Sequence, residues 1–164
     1  MSDSGNLKSS KFLTFNLADQ LYGVPIECVR EINGVLEVTP VPHTPTFVAG
    51  VVNLRGKVIP VINLRLKLGF HKAELTRESC IVVTEVETGQ VGIIVDSVSS
   101  VVDFKADEVE PAPRFGAEQG ESYVLGLARQ DGRVTILLNI AEALSRENFK
   151  SHLTVKAPSM DRVA

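Results

Sequence analysis

The chain has no tryptophan, two tyrosines and two cysteines in 164 residues, and no apolar run approaches the roughly 18 residues that a membrane-spanning helix needs. Each absence closes a class of function. Few aromatics leave little on which bases could stack, and a formal charge of −3 with a pI near 5.6 supplies no basic field for phosphates, so nucleic acid is not an expected partner. Cys28 and Cys80 stand far apart, with no CxxC and no neighbouring histidine. That spacing argues against a metal knuckle or a disulfide framework and predicts two buried thiols in a reducing compartment. The opening "MSDSGNLKSS" is polar and lacks the apolar centre of a signal peptide, so a soluble, cytoplasmic protein is expected.

Catalytic chemistry is equally sparse. His43, His71 and His152 fall in a proline-rich loop, after a short helix and in the C-terminal tail, with no spacing that suits a metal or a general base, and are expected to face solvent. There is no GxSxG elbow, P-loop or GxGxxG, and "GLARQDG" lacks the lysine and the strand-to-helix context of a phosphate cradle. Glu85 and Glu87 share one face of a strand and could pair for acid–base work, but an exposed strand face explains them better. No enzymatic activity, cofactor or structural metal is expected.

What the chain does have is valine in quantity, a β-branched residue suited to pleated strands. "KFLTFNL" alternates Leu13, Phe15 and Leu17 with Phe12, Thr14 and Asn16, and with "ADQLYGVPI" predicts an N-terminal hairpin. "ECVREI" permits either one helical turn or a bulged strand. "EVTPVPHTPTFVAG" must be an extended, exposed connector, in which Thr44 could cap a short turn starting at Pro45. "GVVNLRGKVIPVINLR" predicts a hairpin whose tip is Arg55-Gly56-Lys57, with glycine supplying the positive φ of a tight turn. Asn63 then caps a short helix that stops at Gly69, so the second Asn-Leu-Arg triplet is read as a coincidental echo of the first. Two strands follow around Thr88-Gly89-Gln90, the second buried through Val91, Ile93, Val95 and Val98. A long polar loop, "KADEVEPAPRFGAEQGES", leads to a hairpin turning at Asp131-Gly132 and to a C-terminal helix around Ile140, Ala143 and Leu144. So many short strands predict a mostly β fold of small barrels or sandwiches, two rather than one. Residues 1–11 read as a disordered lead and 147–164 as a mobile tail.

Arg55, in the most apolar part of the chain, has two readings. It could be a solvated turn residue, or it could anchor a protein partner by pairing with a carboxylate while its stem covers apolar surface.

"FLTFNLADQLYGVPIECVREI", "FVAGVVNLRGKVIPVINLRLKLG", "VGIIVDSVSSVV" and "YVLGLARQDGRVTILLNI" resemble, in order and spacing, the CheW-like family of bacterial chemotaxis coupling proteins, from about Phe12 to Leu144. The resemblance implies two SH3-like five-stranded β-barrels packed together over residues 12–146, with short helices including one near the C-terminus. It also implies a non-catalytic adaptor that joins the histidine kinase CheA, through its regulatory domain, to chemoreceptor cytoplasmic tips, and that meets the membrane only through those receptors. Carried over residue by residue, it sets Val29 and Glu31 on the kinase-facing surface and Gly50, Arg55, Val91 and Val101 at the receptor groove between the barrels. The family's usual Asp-Leu-Arg is Asn63-Leu64-Arg65 here, which preserves helix capping but removes a charge. Related readings are an adaptor of a chemosensory-like pathway for pili, gliding or surface sensing and, from another class, an OB-type nucleic-acid-binding barrel, against which the acidic charge counts.

Overall fold

The computed structural model describes residues 10–34, 37–87, 89–111 and 123–144. Apart from Ser10 and Lys11, the expected lead and tail lie outside these residues, as do His152 and most of the polar loop. Among the described residues, eleven strands form two sheets: β1 Lys11–Leu17, β2 Gln20–Pro25, β3 Val29–Gly34, β4 Val48–Leu54, β5 Lys57–Asn63, β6 Cys80–Val86, β7 Gly89–Val95, β8 Ser97–Asp103, β9 Val109–Pro111, β10 Val124–Gln130 and β11 Arg133–Leu138. One sheet runs β8-β1-β2-β11-β10-β9 and the other β3-β6-β7-β5-β4. Neighbours are antiparallel except β11 with β2 and β5 with β7. The six-stranded sheet thus exceeds the expected five by the three-residue β9, which follows a 3-10 turn in what reads as loop.

Both faces of most strands are apolar because each sheet packs twice. Leu13, Phe15 and Leu17 of β1 join Ile62, Val82, Ile93 and Val95 of the other sheet in one shared core, while Phe12 turns the opposite way to meet Phe104, Ala128 and Leu137. On the far side of the five-stranded sheet, Val52, Ile59, Val61, Ile81, Val83 and Ile94 form a third cluster. A strand with core on both faces reads as a continuous apolar run rather than an alternation, as "VIPVI" and "VGIIV" do.

The two sheets repeat one device. Residues 47–68 align without a gap on residues 123–144, matching Gly50 to Gly126, Gly56 to Gly132 and Asn63 to Asn139. Each copy is a hairpin with a two-residue turn in which both residues take positive φ, Arg55 (52°) and Gly56 (84°) or Asp131 (54°) and Gly132 (74°). Each ends in an asparagine whose side chain accepts an N–H three residues on and caps a short helix, α1 Leu64–Lys67 or α2 Ile140–Ala143. The Asn-Leu-Arg echo is therefore not the true repeat, since the second triplet corresponds to Asn139-Ile140-Ala141. Yet Asn53 and Asn63 do the same work, taking the N–H of Gly56 at 2.9 Å and of Leu66 at 3.3 Å.

Several local expectations change. "ECVREI" is both things at once: a 3-10 turn, Ile26–Cys28, runs into β3, which is bulged between Val29 and Glu31. The connector is not wholly exposed, since Pro45 and Phe47 are buried. Thr44 caps nothing there, because its hydroxyl donates to the Val41 carbonyl. Val98 is not on the buried strand. The chain leaves the five-stranded sheet at Asp96 and Val98 belongs to β8 of the other sheet. Cys28 and Cys80 are free and only half-buried.

Candidate functional site

The hairpin between β4 and β5 holds Arg55 at its tip, where the left-handed turn points the side chain outward and leaves it 74% exposed. Its guanidinium nonetheless has a partner, since Nη2 donates to Oε2 of Glu31 on β3. β3 and β4 are the two outermost strands of the five-stranded sheet, and the chain leaving β3 reaches β4 through a two-hydrogen-bond bridge between Thr39 and Val51. The Glu31–Arg55 pair therefore spans the gap between opposite edges of one curled sheet. The hydrogen bond from Arg55, with the attraction of its charge, holds the Glu31 carboxyl below the usual glutamate range against a smaller effect of burial. Elsewhere on the same sheet, apolar side chains are left in solvent, Val58 on β5 at 62% exposure and Ile32 on β3 at 43%. Asn33, two residues beyond Glu31 and on the same strand face, has a buried Nδ2 with no close hydrogen bond, yet its side chain is near enough to help lower the Glu31 carboxyl.

The residues expected at two separate surfaces are thus redistributed. Glu31 and Arg55 are brought together. Val29 is half-buried against the shared core, and Val91 sits inside that core. Gly50 is buried too, and a Cβ there would lie 2.1 Å from the Thr39 carbonyl oxygen, so what it contributes is room for the connector to cross β4. Val101 is 53% exposed on β8, an edge strand of the other sheet. Of the six, Arg55 and Val101 present the most surface, and they do so from different sheets.

One site is missing from the sequence reading altogether. Arg65 on α1 grips Asp96 with both arms, Nε to Oδ1 and Nη2 to Oδ2 at 2.9 Å each, and its third nitrogen donates to the His71 carbonyl at 3.1 Å. Asp96 also accepts from the backbone N–H of Ala18 at 2.9 Å. Burial by itself would raise the Asp96 carboxyl, but the hydrogen bonds from Arg65 and Ala18 and the Arg65 charge outweigh it and hold the group below the ordinary aspartate range. A carboxyl lowered on folding stabilises the fold above its unfolded value and loses that contribution as pH falls through the folded one. The melting-temperature gap between wild type and Asp96→Asn should therefore be constant from neutral pH to about 5 and close below about 3.8, the usual aspartate value. Thermal melts of both proteins from pH 7 to pH 2.5 check this, and a gap that stays constant throughout would mean that the Asp96 charge is not what matters.

Among the described residues, nothing else on the surface resembles a reaction centre. Glu85 faces solvent and pairs with Arg30 across β3 and β6 at 3.1 Å, while Glu87 lies beyond the strand end, so the two carboxylates are not an acid–base pair. His43 and His71 are exposed. Among the described residues no cluster of three His, Cys, Asp or Glu side chains could hold a metal, and no helix is long and apolar enough to cross a membrane. The features that do stand out are a charged pair on a sheet edge and two exposed apolar side chains on the same sheet, residue types from which protein-docking surfaces are built.

Comparison with known proteins agrees with this architecture. The family model described as the CheW-like domain matches residues 11–148. The chain is 36% identical to the chemotaxis protein CheW of Klebsiella aerogenes over 146 residues, covering 89% of this chain and 88% of that one. It is 34% identical to the chemotaxis protein CheW of Treponema pallidum, with 88% of each covered, and 29% identical to protein FrzA of Myxococcus xanthus, with 87% and 84% covered. Among solved structures, the scaffolding protein TtCheW from Thermoanaerobacter tengcongensis matches with a TM-score of 0.75 and 33% identity, over 84% of this chain and 93% of that one. With two hairpin-based sheets sharing one core and a family match that spans nearly all the described residues, the chain belongs to the CheW-like domain family.

Proposed function

We propose that the protein is a non-catalytic adaptor that couples chemoreceptor cytoplasmic tips to the histidine kinase CheA, working in the cytoplasm and reaching the membrane only through the receptors. The observation that carries this reading is the Glu31–Arg55 pair, in which a residue of the kinase-facing strand and a residue beside the receptor groove hold each other across one sheet. Two partners docking on either side of such a pair would each sense the other. The exposed Ile32 and Val58 offer apolar anchors on the same sheet as the charges. The family relatives named as chemotaxis proteins and the solved neighbour titled a scaffolding protein support the same role. Val101, on the exposed edge strand of the other sheet, is the second receptor contact in this reading. Val91 and Gly50 shape the groove from beneath.

The likeness to FrzA, a relative that does not carry the CheW name, fits a second reading in which the same adaptor serves a chemosensory-like pathway for pili, gliding or surface sensing.

Arg55→Ala tests the proposal. The side chain lies mostly in solvent, so the melting temperature should move by no more than about 2 °C. Affinity for a soluble receptor-tip fragment should fall about tenfold or more, as expected for an arginine desolvated in an interface. An unchanged affinity would return Arg55 to the status of a solvated turn residue held by Glu31.

A further inference from the structure

We infer that Arg65 and Asp96 form the joint that fixes the angle between the two sheets. Asp96 is the residue at which the chain passes from β7 of one sheet to β8 of the other. Its N–H donates to the Asn16 carbonyl at 3.0 Å and its carboxylate accepts from Ala18, so the tip of the β1–β2 hairpin hangs on this one residue. That tip is an Ala18-Asp19 turn in which both residues take positive φ, 50° and 66°, with no glycine to ease it. A turn of this kind is poorly favoured in isolation and is held here by the carboxylate. α1, which leaves β5 beside β7 at one end of the five-stranded sheet, supplies Arg65, whose planar fork meets both carboxylate oxygens and holds Asp96 to that sheet while its remaining nitrogen ties down the segment after the helix.

The shared apolar core holds the sheets together and limits their angle through packing, but the transfer of apolar area is itself non-directional. A bidentate ion pair at the crossing adds a directional contact. The pair also lies outside the repeated design: the counterpart of Arg65 in the second copy is Ala141, so the joint is made once, at the junction, and not once per sheet. Two residues on, Lys67 lies over the Phe47 ring at 4.3 Å and the Tyr123 ring at 5.6 Å, and so spans from its own sheet to the entrance of β10 in the other. Since β8 starts directly after Asp96, the joint sets where exposed Val101 stands relative to the Arg55 hairpin. That last consequence rests on the adaptor reading; the joint does not.

Residual dipolar couplings of backbone amides in the full chain read the angle directly. In wild type one alignment tensor should fit both sheets. In Asp96→Asn each sheet should still fit its own tensor, but the two should no longer agree, and exchange of the Ala18 and Asp96 amide protons should quicken at least tenfold. Arg65→Lys, which keeps the charge but reaches one carboxylate oxygen at a time, should show the same divergence to a smaller degree. A single tensor fitting both sheets in both variants would overturn the inference, whatever happens to the melting temperature. Failure of both variants to fold would overturn it too, by making the pair a condition of folding. Diverging tensors with unaltered receptor-tip affinity would leave the joint standing and count against the receptor reading.

Discussion

Gly50→Ala should cost roughly 4 kcal/mol or more of stability and lower the melting temperature by about 10 °C or more, the upper end of what a single substitution does. Two penalties coincide there. The backbone has φ of 146°, a conformation that side chains rarely adopt, and the new Cβ would lie 2.1 Å from the Thr39 oxygen and 2.7 Å from its carbon, so backbone rather than a side chain must move. Two other glycines separate these effects. Gly56 has φ of 84° with open space around it, so Gly56→Ala carries strain alone, about 1–2 kcal/mol. Gly126, the repeat partner of Gly50, lacks a positive φ but would press a Cβ to 2.5 Å from the Glu110 oxygen, so Gly126→Ala carries the clash alone. Melting the three variants side by side should give the order Gly50, then Gly126, then Gly56. A Gly50 variant as stable as the Gly56 variant would mean that the connector yields easily. The result also bears on function: if a Gly50 substitution abolishes receptor binding, the cause is a displaced connector, because glycine offers a receptor no side chain to hold.

Turns and caps were legible in the sequence because their chemistry is local. Asp131-Gly132 and Arg55-Gly56 between apolar arms predict tight hairpins, and Asn63 before a leucine-led segment predicts a capped helix; these form as expected, and Asn139 adds a second such cap that the sequence reading did not name. The crossing between sheets was hidden because valine and isoleucine recur along "VGIIVDSVSSVVDF" on both sides of Asp96, and two-sided burial erases the alternation that would have marked a strand end. The signal was Asp96 itself, the first of two aspartates in that stretch and the one set directly after the apolar run, which needs a cation when half-buried, with Arg65 the candidate. Val91 lies buried on its strand as expected, and its place at the receptor groove rests on the resemblance alone. An alternating apolar strand looks alike whether its face meets solvent, a partner or a second sheet. Non-local pairing is the least legible of all: nothing between Glu31 and Arg55 in the chain announces that the two edges of one sheet curl toward each other.

That pairing sets the expected outcome at Glu31. Glu31→Lys replaces an attraction by a repulsion at a site where the Arg55 guanidinium already stands, and it reverses the charge shown to any partner on β3. Arg55 is 74% exposed although Glu31 is only 27% exposed, so water screens the pair from one side and the melting temperature should fall by only a few degrees. Binding should suffer far more. Affinity for the CheA regulatory domain should drop about a hundredfold, since a like charge at an interface both slows encounter and hastens dissociation. Receptor-tip affinity should drop less, about tenfold, because Arg55 loses the carboxylate that orients it. The exchanged pair, Glu31→Arg with Arg55→Glu, separates a direct from an indirect role: it rebuilds the bridge between β3 and the hairpin with the charges reversed. If each charge meets its own partner, the exchanged protein regains the wild-type melting temperature while both affinities stay low. Recovery of both affinities would show instead that the two residues act only by holding the sheet edges together, and the partners' contacts would then have to be sought among Ile32, Val58 and Val101. Isothermal titration of the single and exchanged variants against the two partner fragments, with melts on the same samples, decides between these outcomes.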